Sequence, residues 1–372
     1  MAEVVSTEET HADRLRRLTD DLRTREVDAL LVNGLLGVRY LSGFTGTHAL
    51  ALIAAEPPAA HRFFTDFRYA TQSAEQVSGA FEREIVVGEL LEAAVSSLDA
   101  AGGRLGFDDA GVTVAQHARL RELLEDRWEL VPCAAAVERL RAVKDADEIA
   151  RIRAASELAD EALRAVLEDG VVGRTERDVA IALELRMRRL GAKAASFPSI
   201  VAAGAHGALP HAEPREEPIP RDVLLTIDWG ALHEGYCSDC TRTYATGGGI
   251  SEEARRVYEL VLDAQRQGVA AVEAGPNGKE IDAVARAVIE RGGHGERFGH
   301  GLGHGVGMEV HEGPRLSRTA GEEPLQVGNV VTVEPGVYLP GVCGVRIEDL
   351  LVVTEQGSDL LTALPKELTI VS

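Results

Sequence analysis

The sequence predicts two domains of different class: a layered α/β domain, followed by an α+β domain built from two structurally equivalent halves. In the first 140 residues, short apolar strand patterns alternate with helical patterns, as in layered α/β domains. From residue 141 onward the order becomes two helices followed by a strand hairpin, and this order occurs twice. A chain of 372 residues is also long for one hydrophobic core. We therefore place the domains at residues 1–140 and 141–372.

Composition excludes several classes of protein. Hydrophobic residues make up 45% of the chain and the formal net charge is −21. The apolar content supports packed cores and argues against disorder. The acidic excess argues against a nucleic-acid partner, which would require a basic surface, and against docking on an anionic membrane.

Targeting signals and cysteine use both favour a cytoplasmic protein. The N-terminal residues lack the basic start and apolar core of a signal peptide, and no apolar run approaches the ~18 residues of a membrane span. Four cysteines do not make a disulfide framework in a chain of this size. Cys237 and Cys240 form a CxxC without a second pair to complete a zinc site, so we expect two buried thiols.

The first domain is predicted to begin with a helix at 11–26, in which Leu15, Leu18 and Leu22 recur at spacings of three and four. The segment GVRYLSGFTGTHALALI, which follows the first strand, is interpreted as a turn-rich stretch that runs into the strand at 49–54. The domain contains no phosphate-binding glycine loop and no cluster of catalytic residue types, so we expect a scaffold or a lid. The predicted strands are 28–33, 49–54, 62–65, 84–87, 104–107 and 129–131, and the further helices are 66–77, 89–101 and 113–126.

The boundary falls near 139–152, where a long amphipathic helix begins; one stripe of this helix carries Ile149, Ile152, Ala155, Leu158, Ala162 and Val166. A helix at 175–190 follows, with Thr175 at its N-cap and Gly191 at its end. The repeated order of elements indicates two halves around a pseudo-twofold axis. The remaining predicted helices are 252–273 and 279–291, and the predicted strands are 196–203, 223–229, 236–245, 297–311, 329–334 and 342–354.

A glycine–histidine segment, FGHGLGHGVGMEVHEGP at 298–314, is the most unusual stretch of the chain. Glycine occupies every second position from Gly299 to Gly307, so an extended strand would have one face of bare backbone, open to close approach. The other face would present His300 and His304, and His311 follows seven residues later. This pattern predicts a reactive or metal-binding wall.

The first hairpin of the second domain carries two carboxylates. Asp228 and Asp239 are equidistant from a turn centred on His233–Glu234, which predicts that they lie directly opposite each other. Two facing carboxylates repel each other, and either a shared proton or a divalent cation between them would offset that repulsion.

The second hairpin repeats this feature. Glu334 and Glu348 flank a turn near Gly341, on strands whose other residues are mostly apolar. Charged residues are rarely buried without a partner. The four acids together with His304 make five candidate ligands for a metal cluster.

The order of these motifs resembles that of the "pita-bread" metallopeptidases, a family that includes methionine aminopeptidase, aminopeptidase P and prolidase. The resemblance covers residues 145–365 and depends on Asp228, Asp239, the GHGLGHGVG…HE segment, VEPG and RIED. GVRYLSGF further resembles the creatinase/prolidase-type N-terminal domain, which methionine aminopeptidases lack. The resemblance implies a pita-bread catalytic domain and an Xaa-Pro peptidase of the aminopeptidase P/prolidase group.

The resemblance also implies a ligand set. Two metal ions would be bridged by Asp239 and Glu348, with Asp228 chelating one ion. His304 and Glu334 would complete the other. Because carboxylates dominate the set, manganese is the expected metal, with cobalt, iron or zinc as alternatives.

The resemblance assigns roles to further residues. Glu334 would be the proton shuttle, His211 in GALPHAEP would contact the scissile peptide, and His311 would steady the tetrahedral intermediate. His300 would lie beside the proline-binding pocket. Arg346, two residues before Glu348 and on the same strand face, could orient that carboxylate, and we group it with His300 as substrate-binding.

The predicted activity is that of a homodimeric Xaa-Pro aminopeptidase acting on proline-containing peptides. The short chain and compact loops favour it over an Xaa-Pro dipeptidase, which must close its site behind proline and pair the free carboxylate of the substrate with a basic residue. A creatinase-type C–N hydrolase is a further alternative, disfavoured by the intact ligand set. A non-catalytic interaction module is the least supported.

Overall fold

The computed structural model describes residues 7–56 and 59–372, and the chain divides into two compact units, Met1–Arg141 and Ala142–Ser372. The expectation about a signal peptide falls partly on residues 1–6, outside the described residues.

A mixed six-stranded sheet forms the centre of the first unit, in the order β4-β3-β2-β1-β5-β6 within its described residues. β1 pairs antiparallel with β2 and parallel with β5. Every residue of β1 and β2 is buried, which explains their unbroken apolar sequences ALLV and ALALIA. The strands are β1 (Ala29–Val32), β2 (Ala49–Ala54), β3 (His61–Asp66), β4 (Phe81–Val86), β5 (Gly103–Phe107) and β6 (Trp128–Pro132), and the helices are α1 (Thr7–Thr24), α2 (Leu35–Ser42), α3 (Ala70–Gln76), α4 (Leu90–Ser96), α5 (Val114–Leu124) and α6 (Ala136–Ala142).

The interpretation of GVRYLSGFTGTHALALI as turn-rich is wrong for its first six residues, which belong to helix α2, whereas bends at 46–48 do lead into β2. The helix buries Val38, Tyr40 and Leu41, and this burial outweighs the low helix propensity of the glycine within it. It ends at Gly43, whose φ of 83° and N–H bond to the Arg39 carbonyl form a left-handed cap.

The second unit contains two sets of elements in the same order. Helices α7 and α8 precede strands β8, β9 and β12, which are neighbours in one sheet, and α9 and α10 precede β13, β15 and β18, which are neighbours in another. The elements are α7 (Ala146–Glu168), α8 (Glu176–Leu190), β7 (Ala194–Ala195), β8 (Ile200–Ala203), β9 (Leu224–Trp229), β10 (Ala231–His233), β11 (Tyr236–Cys237), β12 (Cys240–Ala245), α9 (Glu252–Ala270), α10 (Gly278–Arg291), β13 (Gly303–Gly305), β14 (Glu312–Leu316), β15 (Val330–Val333), β16 (Gly336–Leu339), β17 (Cys343–Arg346), β18 (Asp349–Thr354) and β19 (Gly357–Leu360).

This repeated order confirms the predicted fold class with its pseudo-twofold arrangement. Local signals account for several helix ends: Thr175 caps α8 by accepting from the Asp178 N–H, and Ser251 caps α9 in the same way. Gly191 ends α8 with φ 115°. The regions α9–α10 and β13–β18 enclose their own apolar core, which includes Val261, Leu302 and Leu351.

The strand predicted at 297–311 is much shorter than expected, because regular pairing is confined to β13. The predicted close approach to its bare face is nevertheless confirmed. A Cβ added to Gly303 would lie 2.0 Å from the Thr332 carbonyl oxygen, and one added to Gly305 would lie 2.1 Å from that of Gly313. Glycine at these positions therefore lets neighbouring strands pack directly against the histidine-bearing segment.

Candidate active site

Three side chains from different elements converge in the second unit. Asp239, His304 and Glu348 each offer one ligand atom, and these atoms all lie within 4.8 Å of one another. Asp239 and Glu348 are 5% and 1% exposed. Two buried carboxylates and one imidazole at this separation could hold a divalent cation.

The first hairpin places its two acids differently from the sequence-based prediction. Asp228 lies opposite Thr241, not opposite Asp239, because the pairing of β9 with β12 is shifted by two residues. The cause is the turn, which is centred on Glu234 and Gly235 with φ values of 49° and 90°, as in a two-residue hairpin loop. Since a two-residue shift preserves the strand face, both acids still line the same cavity.

The second hairpin matches its prediction. Val333 pairs with Asp349 and Gly336 pairs with Arg346 in one continuous register, which sets Glu334 opposite Glu348. The predicted turn is present at Gly341, where φ is 78°. The Glu348 N–H donates to the Thr241 carbonyl at 3.1 Å, so a hydrogen bond joins the acid-bearing strands of the two halves.

His304 presents one nitrogen to the acids. Its Nε2 lies 3.4 Å from Glu334 Oε1 and 3.6 Å from Asp239 Oδ2, while its Nδ1 lies 3.1 Å from the Gly305 carbonyl oxygen. Burial lowers the pKa of His304 to about 4, so the ring is neutral at pH 7. Because a carbonyl only accepts, Nδ1 carries the proton and the Nε2 lone pair faces the acids, as a metal ligand requires.

The acids destabilise one another in the absence of a cation. Burial, followed by repulsion from Glu348, raises the pKa of Asp239 well above its usual range. Burial, followed by repulsion from Glu334, does the same to the pKa of Glu348, and burial raises the pKa of Glu334 to about 8. Among the residues that the structure describes, none forms a hydrogen bond with the buried Asp228 Oδ1. An unpaired carboxylate oxygen beside crowded acids fits the donor set of bound divalent cations.

Arg346 connects the two hairpins. Its Nη2 donates to Asp228 Oδ2 at 2.6 Å, and its Nε donates to the Thr241 hydroxyl at 3.1 Å. Thr241 in turn donates to Glu348 Oε2 at 2.7 Å. The predicted influence of Arg346 on Glu348 is therefore indirect, through Thr241, whereas its direct contact is with Asp228.

The predicted histidines line one cavity of about 1070 Å³ together with the acids. The rings of His304 and His311 lie 4.3 Å apart in an edge-to-face arrangement. His211 is exposed at the cavity wall, and the carbonyl of its neighbour Pro210 accepts from Arg346 Nη1 at 3.1 Å. His300 lies deeper, and burial lowers its pKa to about 4.

Sequence reasoning missed several residues that line the cavity or contact its lining. Thr241 lies two positions after Asp239, and Tyr338 four positions after Glu334, so the period of two along a strand could have identified both. Arg315 and Phe197 also line the cavity, and no local pattern in the sequence distinguishes them. Arg315 lies opposite His304 in the pairing of β13 with β14.

Comparison with known proteins identifies the family. Residues 150–355 match metallopeptidase family M24, and residues 14–143 match the creatinase/prolidase N-terminal domain. The chain belongs to metallopeptidase family M24. Membership confirms the predicted metal-dependent peptidase and leaves the non-catalytic module without support.

The similarity to individual M24 relatives extends over nearly the whole chain. An uncharacterized peptidase of Bacillus subtilis is 43% identical over 359 residues, which are 96% of this chain and 99% of the relative. A solved Xaa-Pro dipeptidase from Bacillus anthracis is 36% identical with a TM-score of 0.91, covering 97% of this chain and 99% of that one. An X-Pro aminopeptidase from Thermotoga maritima is 34% identical with a TM-score of 0.86, covering 96% and 100%.

The cysteines and the apolar character of the helices were also considered in the sequence. All four cysteines are buried and free of disulfides, which confirms the interpretation of the CxxC as buried thiols. Among residues 7–56 and 59–372, no helix combines the length and apolar character needed to cross a bilayer.

Proposed function

We propose that this M24 peptidase hydrolyses the bond between an N-terminal residue and proline, and that dipeptides are its preferred substrates. Arg315 supports the dipeptidase form. It is exposed in the cavity wall directly across from His304, and within the described part of the chain no carboxylate pairs with it. A guanidinium free to bind an anion suits the terminal carboxylate of an Xaa-Pro dipeptide.

The ligand assignments of the sequence analysis are retained in this proposal. Asp239, Glu348 and His304 would hold divalent ions together with Asp228 and Glu334. Two ions there would polarise the peptide carbonyl and lower the pKa of water. Because four of the five ligands are carboxylates, manganese is the proposed metal.

The side chains around the ligands have separate tasks in the proposed reaction. The Glu334 carboxylate accepts the proton of the attacking water and passes it to the departing proline nitrogen. His211 and His311, which both line the cavity, donate hydrogen bonds to the scissile peptide as negative charge develops on its oxygen. His300 and Arg346 belong to the wall that receives the proline ring. Proline has no N–H and a fixed φ, so an enzyme shaped for it recognises a bond that general peptidases handle poorly.

The aminopeptidase activity predicted from the sequence is the second candidate. A cavity of about 1070 Å³ exceeds the usual ~300–1,000 Å³ of small-molecule sites, so it has room for residues beyond proline. The similarity to the Thermotoga maritima aminopeptidase also favours this form. The predicted homodimer and cytoplasmic location stay predictions.

A substrate panel separates the two candidates. The manganese-loaded enzyme would be given an Xaa-Pro dipeptide, an Xaa-Pro-Xaa tripeptide and an Xaa-Ala dipeptide as a control. Cleavage largely confined to the Xaa-Pro dipeptide supports the dipeptidase, whereas rapid release of the first residue of the tripeptide supports the aminopeptidase. If neither proline peptide is cleaved although metal is bound, the peptidase proposal fails and a C–N hydrolase of small molecules takes its place.

Variants of two neighbouring arginines test the role of Arg315. We expect Arg315→Gln to raise KM for the dipeptide by roughly 10- to 100-fold, because a charged hydrogen bond to the substrate is lost. The matched control is Arg318→Gln, which removes an exposed arginine that does not line the cavity. Equal kinetics in the two variants would exclude Arg315 as the carboxylate-binding residue.

A further inference from the structure

A buried ion pair on α10 lies behind the segment that carries His300. Arg286 Nε and Nη2 donate to Asp282 Oδ2 and Oδ1, each at 2.7 Å. The side chains of Arg286 and Asp282 are only 6% and 0% exposed. Removing two charges from water is costly, and a buried pair is tolerated only when its remaining donors and acceptors are also bonded.

The remaining bonds of this pair all go to the backbone around His300. Arg286 donates from Nη1 to the Phe298 carbonyl at 2.9 Å and from Nη2 to the His300 carbonyl at 2.8 Å. Asp282 Oδ1 accepts from the Leu302 N–H at 3.0 Å. The bonded residues alternate with Gly299 and Gly301, which have no side chains to anchor the segment. The ion pair supplies that anchorage.

The ring of His300 is held at both nitrogens. Nδ1 lies 2.8 Å from the Gly301 carbonyl oxygen, and Nε2 lies 2.9 Å from the Tyr338 hydroxyl. Since the carbonyl only accepts, Nδ1 donates to it, and Nε2 therefore accepts from the Tyr338 hydroxyl. The Tyr338 oxygen accepts in turn from Arg346 Nη1 at 2.9 Å. Both polar atoms of the ring are therefore occupied within the protein.

His300 consequently contributes shape to the cavity. With its nitrogens engaged, it offers the substrate an aromatic surface, and Phe298 packs edge-on against it with ring centroids 5.1 Å apart. The position of that surface depends on the backbone from 298 to 302. The Gly301 carbonyl accepts from Nδ1 of the ring, and the ion pair bonds the backbone of His300 and Leu302 on either side of Gly301. A small backbone shift there would displace the ring from the wall.

We infer that Asp282 and Arg286 form a positioning pair that fixes the His300 ring in the wall of the substrate cavity and so sets the affinity for the proline ring. The inference rests on the proposed function for the identity of the ligand. The pair acts through the backbone and does not itself line the cavity. Its loss therefore weakens binding of substrate and transition state alike, which raises KM and leaves kcat nearly unchanged.

Arg286→Lys is the primary variant, because lysine keeps the charge but cannot bond the carboxylate and two carbonyls in one plane. We expect KM for an Xaa-Pro substrate and the inhibition constant of free L-proline each to rise on the order of tenfold, with kcat within about twofold. Hydrogen exchange should accelerate at the amides of residues 298–302. Arg151→Lys is the matched control, since Arg151 forms an i,i+4 pair with Asp147 that is 34% and 64% exposed, and its kinetics and exchange should not change.

Asp282→Asn provides a second variant that keeps the side-chain shape. The inference is overturned if a folded variant shows unchanged KM and unchanged exchange at 298–302, or if kcat falls while KM stays constant. Failure of both variants to fold would also overturn it, because the pair would then serve global stability. If the wild-type enzyme cleaves no Xaa-Pro bond, the proposed function fails, whereas the exchange at 298–302 still decides whether the pair positions this segment.

Discussion

Replacing Thr241 by valine would test whether the hydrogen bonds between the two hairpins support metal binding. Thr241 is 0% exposed, and its hydroxyl donates to Glu348 Oε2 at 2.7 Å while accepting from Arg346 Nε at 3.1 Å. Valine keeps the shape and removes both bonds. A hydrogen bond to a charged group contributes about 1.5–3 kcal/mol, and a buried donor left unsatisfied costs about 1–3 kcal/mol.

We therefore expect Thr241→Val to lower the free energy of unfolding of the metal-free protein by about 2–4 kcal/mol. Loss of a partner that orients a ligand typically weakens metal affinity by about 10- to 100-fold. Urea denaturation of the metal-free protein measures the first effect, and calorimetric titration with Mn²⁺ measures the second. Both should be recorded at one pH, because the pKa of Glu334 is raised to about 8 and its protonation therefore changes with the buffer chosen.

Thr226→Val is the matched control. The Thr226 hydroxyl is also buried, but it lies 3.0 Å from the Thr243 hydroxyl and donates to the Gly344 carbonyl at 3.3 Å, without contact to a candidate ligand. We expect Thr226→Val to lower the free energy of unfolding by about 0.5–1.5 kcal/mol and to leave the affinity for Mn²⁺ unchanged. Wild-type metal affinity in Thr241→Val, or an equal loss in both variants, would refute the proposed support of Glu348 by Thr241.

Three further outcomes follow from the site. First, the metal-free protein should lose about 1–2 kcal/mol of stability between about pH 6.5 and 8. Burial raises the pKa of Glu334 to about 8, and a raised carboxyl pKa gives stability that is complete below the unfolded pKa, about 4.3, and is lost as pH rises to the folded value. The lowered pKa values of His300 and His304 change stability only below about pH 6.5. Denaturation at several pH values with and without Mn²⁺ measures this loss, and a flat profile without metal would contradict it. Second, Asp239→Ala should abolish metal binding and activity together, because Asp239 is one of the three candidate ligands whose atoms converge, and a fully active variant would exclude the proposed metal site. Third, Gly344→Ala should destabilise the protein strongly, because the added Cβ would lie 1.7 Å from the Gly207 carbonyl oxygen. The control is Gly248→Ala, whose Cβ would meet no atom within 4 Å and which should leave stability unchanged. Thermal unfolding of both variants measures the difference.

Periodicity and spacing predicted most of the elements that carry the site. The strand at 49–54 was predicted with its observed bounds, because its apolar run is buried on both faces. The acids and His304 were predicted as a group, because each lies in an apolar strand or a glycine-rich segment where an isolated charge is improbable. The structure brings three of them within 4.8 Å of one another.

Other features depend on contacts that no local pattern encodes. The register of β9 and β12 depends on which two residues form the turn, and Glu234 adopts a positive φ that glycine more commonly takes. Helix α2 forms because Val38 and Leu41 are buried in the folded unit, a tertiary effect that outweighs local propensity. Arg315 reaches the cavity only because β14 pairs with β13, which the sequence did not indicate.

The candidate ligands are divided between the two halves of the catalytic unit. Asp228 and Asp239 belong to the first half, and His304, Glu334 and Glu348 belong to the second. A cation held by both sets would act as a removable cross-link between the halves. In a chain cleaved in the exposed loop at 248–249, bound metal would therefore add to the affinity with which the two fragments associate.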